Sequence, residues 1–307
     1  MSCTYENIKR DGHTLDGLTS LESGLRIAVT RSGAELVSLA RRNESGEWIG
    51  FLYRDGEVTP AKSGWNNHAT VMGYFTHRLK NGQSNYLGRE IRADIHGFLR
   101  RLVFDEPEVG ANSLTYRVGP EQIPEGAYPF KVSLALTYAI EGDAVRVTFH
   151  FENHEPDAVA KVSFGLHPGF AADSFESAEI MMPPGKYTMH LLAGHFLSGE
   201  TEEIDFEGGP MPFPHAQLPG SVLLGLTQVE LPMFTFADKT TGRRVILNYS
   251  GVPYLTLWSD GGPFICLEPT WGLPDHLDQR VFEEKEGLQE IKPSGTLTHS
   301  FTMAPFI

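Results

Sequence analysis

Val132-Ser133-Leu134-Ala135-Leu136-Thr137-Tyr138-Ala139-Ile140-Glu141-Gly142-Asp143-Ala144-Val145-Arg146-Val147-Thr148-Phe149-His150-Phe151 is the stretch that decides the fold class. Val132, Leu134, Leu136, Tyr138 and Ile140 alternate with small or polar residues, as Val145, Val147, Phe149 and Phe151 do with Arg146, Thr148 and His150. A period of two gives each segment one apolar face, as in a half-buried strand. Gly142-Asp143 between them reads as the turn of a hairpin.

The same grammar extends in both directions. Toward the C-terminus, Val162, Phe164 and Leu166 form an apolar face and leave Lys161, Ser163, Gly165 and His167 on the other. Further strands are expected over 243–249, 254–258 and 264–267 and over 296–303. Toward the N-terminus, 25–30, 34–40 and 47–53 are short apolar segments separated by Ser32-Gly33 and Asn43-Glu44-Ser45-Gly46, which are turn formers. They read as a meander. Residues 1–20 read as a polar leader, 60–77 as a loop region, and 182–220, rich in Pro and Gly, as loops and short strands. Only 278–288 suggests a helix, short and charged. Many short strands without alternating helices predict an all-β chain, a large antiparallel β-sandwich, with 1–307 as a single domain.

Phe264-Ile265-Cys266-Leu267-Glu268-Pro269-Thr270-Trp271 breaks this pattern in an informative way. Alternation sets Ile265 and Leu267 on one face and Phe264, Cys266 and Glu268 on the other, so a carboxylate shares a face with apolar neighbours. Pro269 has no N–H to give a ladder, and the strand is expected to stop there. On these residues alone Glu268 is either a strand-end carboxylate bonded to backbone or a desolvated general base or sugar contact.

Composition narrows the function. The 307 residues carry 39 acidic and 25 basic side chains, a formal net charge of −14. That balance argues against a nucleic-acid partner, which draws on clustered Lys and Arg, and favours a small ligand. Cys3 and Cys266 are the two cysteines, and their placement predicts neither a disulfide nor a cysteine metal site. The start Met1-Ser2-Cys3-Thr4-Tyr5-Glu6-Asn7 lacks the apolar core of a signal peptide, and no run approaches membrane-spanning length. The expectation is a cytoplasmic protein with no membrane partner. There is no Gly-x-Ser-x-Gly elbow, no phosphate loop and no His-Glu-x-x-His, and none of the twelve histidines has a metal-ligand spacing. No metal or cofactor is expected.

Four features recur in order: Thr76-His77-Arg78-Leu79-Lys80-Asn81-Gly82-Gln83, His96-Gly97-Phe98-Leu99-Arg100, Gly165-Leu166-His167-Pro168-Gly169-Phe170, and the segment ending in Glu268-Pro269. Together with Ala127-Tyr128-Pro129-Phe130 they resemble the aldose 1-epimerase, or galactose mutarotase-like, family, especially its shorter bacterial members, over residues 25–303. The resemblance implies a fold of two large antiparallel sheets and an enzyme that interconverts the α and β anomers of a free monosaccharide. It implies Glu268 as base, His167 as acid, and His96 and Arg78 as holders of sugar oxygens. No metal, nucleotide or redox cofactor is implied, and a homodimer is left open. Trp271, Phe170 and Trp65 are candidates to stack on a pyranose.

This sequence also departs from that pattern. Larger members carry an Asp that binds sugar hydroxyls, for which Asp238 and Asp260 are both candidates here, with Asp260 taken as the substrate-binding choice. His77 stands where Asn is usual, and Gly169 where an aromatic is usual. These departures motivate an alternative, a non-catalytic carbohydrate-binding or sugar-sensing protein on the same fold. A glycoside-processing enzyme ranks below both, because it needs two carboxylates flanking a bond and only Glu268 has such a setting.

Overall fold

The computed structural model describes residues 2–278 and 281–307. Its strands pair antiparallel into sheets of five, nine and eight strands and one two-stranded hairpin. The predicted hairpin is present: Val132–Glu141 pairs with Ala144–Asn153 in register from Val132↔Asn153 to Glu141↔Ala144. It lies in the nine-stranded sheet beside Thr296–Phe306 and Ser113–Val118. Leu25–Thr30, Leu36–Arg42 and Trp48–Gly50 form the expected meander within the five-stranded sheet.

The eight-stranded sheet carries the site. Its centre is Tyr254–Trp258, Phe264–Trp271 and Ala160–Ala171 in that order, with Ala69–Tyr74 paired to the far side of the last. One face packs on the nine-stranded sheet. Phe164 meets Phe151 and Phe149 with ring centroids 4.7 Å and 5.1 Å apart, Phe170 meets Phe236 at 5.6 Å, and the Tyr249 hydroxyl donates to the Leu267 carbonyl at 2.8 Å. Val162, Phe164, Leu166, Ile265 and Leu267 are all fully buried in this core, as their alternation predicts. The opposite face is left for chemistry.

Four expectations are corrected. The stretch expected to be a polar leader is folded into the body: Thr4–Arg10 and His13–Ser20 are paired strands of the five-stranded sheet. The inward group there is Asp16, fully buried, which accepts hydrogen bonds from Arg31 at 2.9 and 3.0 Å, Tyr5 at 2.9 Å and Tyr116 at 3.0 Å. A strand that turns a carboxylate inward does not show an apolar alternation. Pro269 does not end its strand, which runs on to Trp271 with Pro269 opposite Leu255. The Pro/Gly-rich region contains two long strands, Gly185–Ala193 and Phe196–Phe206. The second is an exposed edge strand, wetted on both faces and therefore without periodicity. The suggested helix over 278–288 includes residues 279 and 280, outside the described residues; the rest holds a three-residue 3₁₀ turn, Phe282–Glu284.

Candidate active site

Ala160–Ala171 and Phe264–Trp271 pair at Gly165↔Thr270 and again at Gly169↔Cys266. The centre of the interval between these pairs sets His167 opposite Glu268. Each is followed by a proline, Pro168 or Pro269, which removes an N–H donor from the middle of the ladder. Flanking strands extend the row, with Thr70 in register with His167, Thr256 with Glu268, and Leu223 with Thr256. Side chains in register on one face are neighbours, so Thr70, His167, Glu268, Thr256 and Leu223 form a line across the sheet. All five line one cavity of about 320 Å³, at the small end of ligand pockets.

Within it, His167 Nε2 lies 3.2 Å from Glu268 Oε1, and both residues are buried. Burial pushes the Glu268 carboxyl well above the usual carboxylate range and lowers His167 to about 3. Desolvation disfavours charge on either group alone, while a direct contact lets them share one proton. Trp65 stacks on the His167 ring, with centroids 5.0 Å apart and planes 29° from parallel, and Trp258 meets it edge-on at 5.6 Å. Gly169 makes this possible: a Cβ there would stand 2.4 Å from the Trp65 ring. The glycine that departs from the family pattern is thus where Trp65 enters.

His96 sits in a turn after the strand Arg89–Arg92, not at a strand end. Its carbonyl accepts the Gly73 N–H at 3.0 Å, and the next residue, Gly97, has φ +72° with its Cα face against the Gly73 carbonyl, 2.3 Å from where a Cβ would be. Only glycine fits there, which is the physical content of the His-Gly pair. The His77 N–H donates to His96 Nδ1 at 3.1 Å, so the ring proton of neutral His96 belongs on Nε2. The His96 and His167 rings meet edge to face at 5.3 Å. Burial lowers His96 well below the ordinary histidine range and His77 to about 3, the latter with help from the ammonium of Lys285.

Of the residues singled out from sequence, the structure brings Glu268, His167, His96, Arg78 and Trp65 together around the cavity. It does not bring Trp271, Phe170 or Asp260 to the wall. Trp271 is 1% exposed and stacks on Phe164 at 5.0 Å in the core, its Nε1–H donating to the Gly251 carbonyl. The alternation that turns Ile265 and Leu267 inward applies to it as well. Phe170 is likewise core. Asp260 accepts the Trp65 and Gly262 N–H groups, each at 2.9 Å, and so steadies the tryptophan loop from outside. Asp238 is fully buried among Thr241, Arg243 and the Asp173 N–H. Sequence reasoning passed over Arg100, Trp258, Asn67 and Thr256, which also line the cavity. Arg100 lay within the quoted His-Gly segment, and Trp258 and Thr256 precede Phe264 on the neighbouring strand.

Folding also creates a potential donor set that spacing concealed. His167, Cys266 and Glu268 offer ligand atoms all within 4.8 Å of one another. Imidazole, thiol and carboxylate are zinc-type ligands, and these three are the residues that could hold such an ion. The sequence predicts no cysteine metal site, and what the fold adds is this proximity of three donor atoms. Among the described residues no helix is long and apolar enough to cross a membrane.

Comparison with known proteins bears on the family and the fold. The family model for aldose 1-epimerase matches residues 18–269. Protein LacX (plasmid) of Lactococcus lactis subsp. lactis is 24% identical over 269 residues, covering 77% of this chain and 85% of that protein. A galactose mutarotase related enzyme from Lactobacillus acidophilus superposes with a TM-score of 0.83 at 19% identity, over 99% of this chain and 98% of that one. Galactose 1-epimerase from Lactobacillus acidophilus NCFM superposes at 0.72 with 13% identity, again over 99% and 98%. At these identities the superpositions establish a shared fold.

Proposed function

This chain belongs to the aldose 1-epimerase family, and on that footing we propose that it interconverts the α and β anomers of a free aldose by acid/base-catalysed ring opening and closure. The observation that carries the reading is the 3.2 Å opposition of His167 Nε2 and Glu268 Oε1 in a cavity of monosaccharide dimensions. The reaction needs a base at the anomeric hydroxyl and an acid at the ring oxygen. Both oxygens are bonded to C1, so the two groups that serve them must be neighbours.

The steps follow from the pair's single proton. A bound sugar donates its O1–H toward Glu268, which favours the carboxylate, and presents its ring oxygen to His167, and the shared proton crosses the 3.2 Å contact from Glu268 to His167 Nε2. Glu268 takes the O1 proton as the C1–O1 bond gains double-bond character. The bond from C1 to the ring oxygen breaks, and that oxygen takes the proton from His167. Rotation about the C1–C2 bond presents the other face of the aldehyde, and the reverse transfers close the ring as the other anomer. His96 Nε2–H and the Arg78 guanidinium hold sugar oxygens and steady charge developing on the ring oxygen. Trp65 and Trp258 supply apolar surface for a sugar ring.

Two-dimensional exchange NMR on a panel of aldoses tests the reading. Anomer exchange accelerated by the protein and abolished in Glu268→Gln supports it. Exchange left at the spontaneous rate for every sugar overturns it, and binding without exchange would identify a sugar-binding protein instead.

A further inference from the structure

Two threonines flank the acid/base pair on the cavity face, Thr70 in register with His167 and Thr256 in register with Glu268. Their hydroxyls are used differently. Thr70 donates to the Glu35 carboxylate at 3.3 Å, whereas Thr256 Oγ1 is buried with no hydrogen-bond partner among the described residues. A buried hydroxyl left unpaired destabilises a fold, and one kept beside reacting groups calls for a role in the reaction.

The surroundings of Thr256 narrow that role. It stands opposite Leu223 on one side and Glu268 on the other, so its one polar neighbour across the sheet is the carboxyl. Directly opposed residues on one face have Cβ atoms about 4.5–5.5 Å apart, a separation that a threonine hydroxyl and a glutamate carboxylate together span. Glu268, for its part, has His167 as its one ion-pairing or hydrogen-bonding partner among the described residues. Thr270 is a second buried hydroxyl without a partner near Glu268, but it lies two residues along the same strand, about 7 Å away at Cα, and does not line the cavity.

The proton transfer that starts the reaction supplies the need. Once Glu268 passes the shared proton to His167, a carboxylate stands where burial opposes charge. His167 answers that charge from one side. On the other, a hydroxyl already in place and committed to nothing else is a donor preorganised for it.

We propose that Thr256 is the positioning residue of the base: its hydroxyl donates to the Glu268 carboxylate as that charge forms and holds it toward the O1–H of the sugar. The inference rests on the anomer-exchange reading above and deepens it by one residue, which acts through Glu268.

The test uses the full chain with Thr256→Val, which exchanges the hydroxyl for a methyl, and Thr256→Ser, which keeps the hydroxyl and loses the methyl. Exchange NMR is expected to show kcat lowered by about tenfold or more in Thr256→Val, with little change in KM, and most of the rate retained in Thr256→Ser. A side chain needed only for packing would give the opposite order, because valine fills the space that serine leaves. Urea unfolding adds a readout that needs no turnover. Thr256→Val removes an unpaired buried hydroxyl and should be as stable as the wild type or more so, so that stability and activity move apart. A kcat preserved in Thr256→Val, a loss greater in Thr256→Ser than in Thr256→Val, the kcat loss appearing in Thr270→Val in its place, or a Thr256→Val chain less stable than the wild type would each overturn the inference and leave the anomer-exchange reading standing. A wild-type chain that exchanges no sugar overturns both.

Discussion

His167 and Glu268 face one another across a ladder that is interrupted where both chains carry proline. Gly165↔Thr270 and Gly169↔Cys266 close the interruption at either end, and the imidazole and carboxylate approach to 3.2 Å between them. Central strands give a site rigidity that loops do not, and reacting groups must be held to fractions of an ångström. The His-Pro and Glu-Pro dipeptides therefore mark one device seen from two strands.

If these two groups move the protons, each substitution should remove exchange without removing the fold. Glu268→Gln and His167→Asn are expected to lower kcat by about 10²- to 10⁴-fold, the usual contribution of a positioned acid or base. Exchange NMR gives the rate and circular dichroism reports the fold. Full activity in either variant would show that the roles lie elsewhere.

Trp271 should behave as a core residue. With its ring on Phe164 and 1% exposed, Trp271→Ala is expected to destabilise by about 3–5 kcal/mol, measured by urea unfolding. Trp271→Phe keeps most of the packing and should leave KM for sugar unchanged. A large rise in KM for Trp271→Phe with stability intact would restore it to the sugar site.

How much the sequence revealed depended on what each residue turned inward. Val132, Phe149, Phe164 and Leu267 turn apolar side chains to the core, and their period of two was plain. Asp16 turns a carboxylate inward to Arg31 and two tyrosines, so its strand looked like polar leader. His167 and Glu268 were visible through the ordered segments that resemble the aldose 1-epimerase family; on its own segment Glu268 reads equally as a strand-end carboxylate. Trp271 was misplaced because nearness to Glu268 in sequence was weighed above the alternation that sets it on the opposite face. Arg100, Trp258 and Asn67 reach the cavity through tertiary packing of loops and a neighbouring strand, which no local period encodes.

The buried Asp16 cluster ties the first twenty residues to the body of the fold. Asp16→Ala leaves the Arg31 guanidinium and the Tyr116 hydroxyl without their acceptor. Arg31 is 21% exposed and water can recover part of the loss, so the expected cost is about 2–4 kcal/mol, below that of breaking a fully buried pair. Unfolding by urea measures it. A cost near zero would mean that this hairpin is an appendage.

Asp260 is expected to act on binding through Trp65. Its carboxylate accepts the Trp65 N–H and would stand 2.9 Å from a Cβ at Gly64, so it fixes the loop that lays the indole on His167. Asp260→Ala should raise KM by about threefold to tenfold with a smaller change in kcat. A kcat loss as large as that of Glu268→Gln would instead place Asp260 among the groups that meet the sugar.

Acid should destabilise the fold earlier than carboxylate protonation alone would. His77, His96 and His167 are all held below the ordinary histidine value by burial, His77 and His167 to about 3. Below about pH 6.5 the unfolded chain takes up three protons that the folded chain refuses, so their contribution is complete above that pH and is lost as pH falls toward 3. Glu268 works the other way. Its carboxyl is raised, so the folded state keeps a proton that the unfolded state releases above about pH 4.5, and its contribution shrinks as pH rises. Near pH 5, where imidazoles of the unfolded chain are almost fully protonated, the three histidines outweigh Glu268 and unfolding takes up protons, so stability falls as pH falls. Toward pH 6.5 the imbalance fades because those imidazoles are only half protonated. His77→Gln removes one of the three and should make stability fall less steeply as pH drops toward 5. Urea unfolding across this window reads it directly, and a slope that His77→Gln leaves unchanged would show that the buried histidines do not govern acid stability.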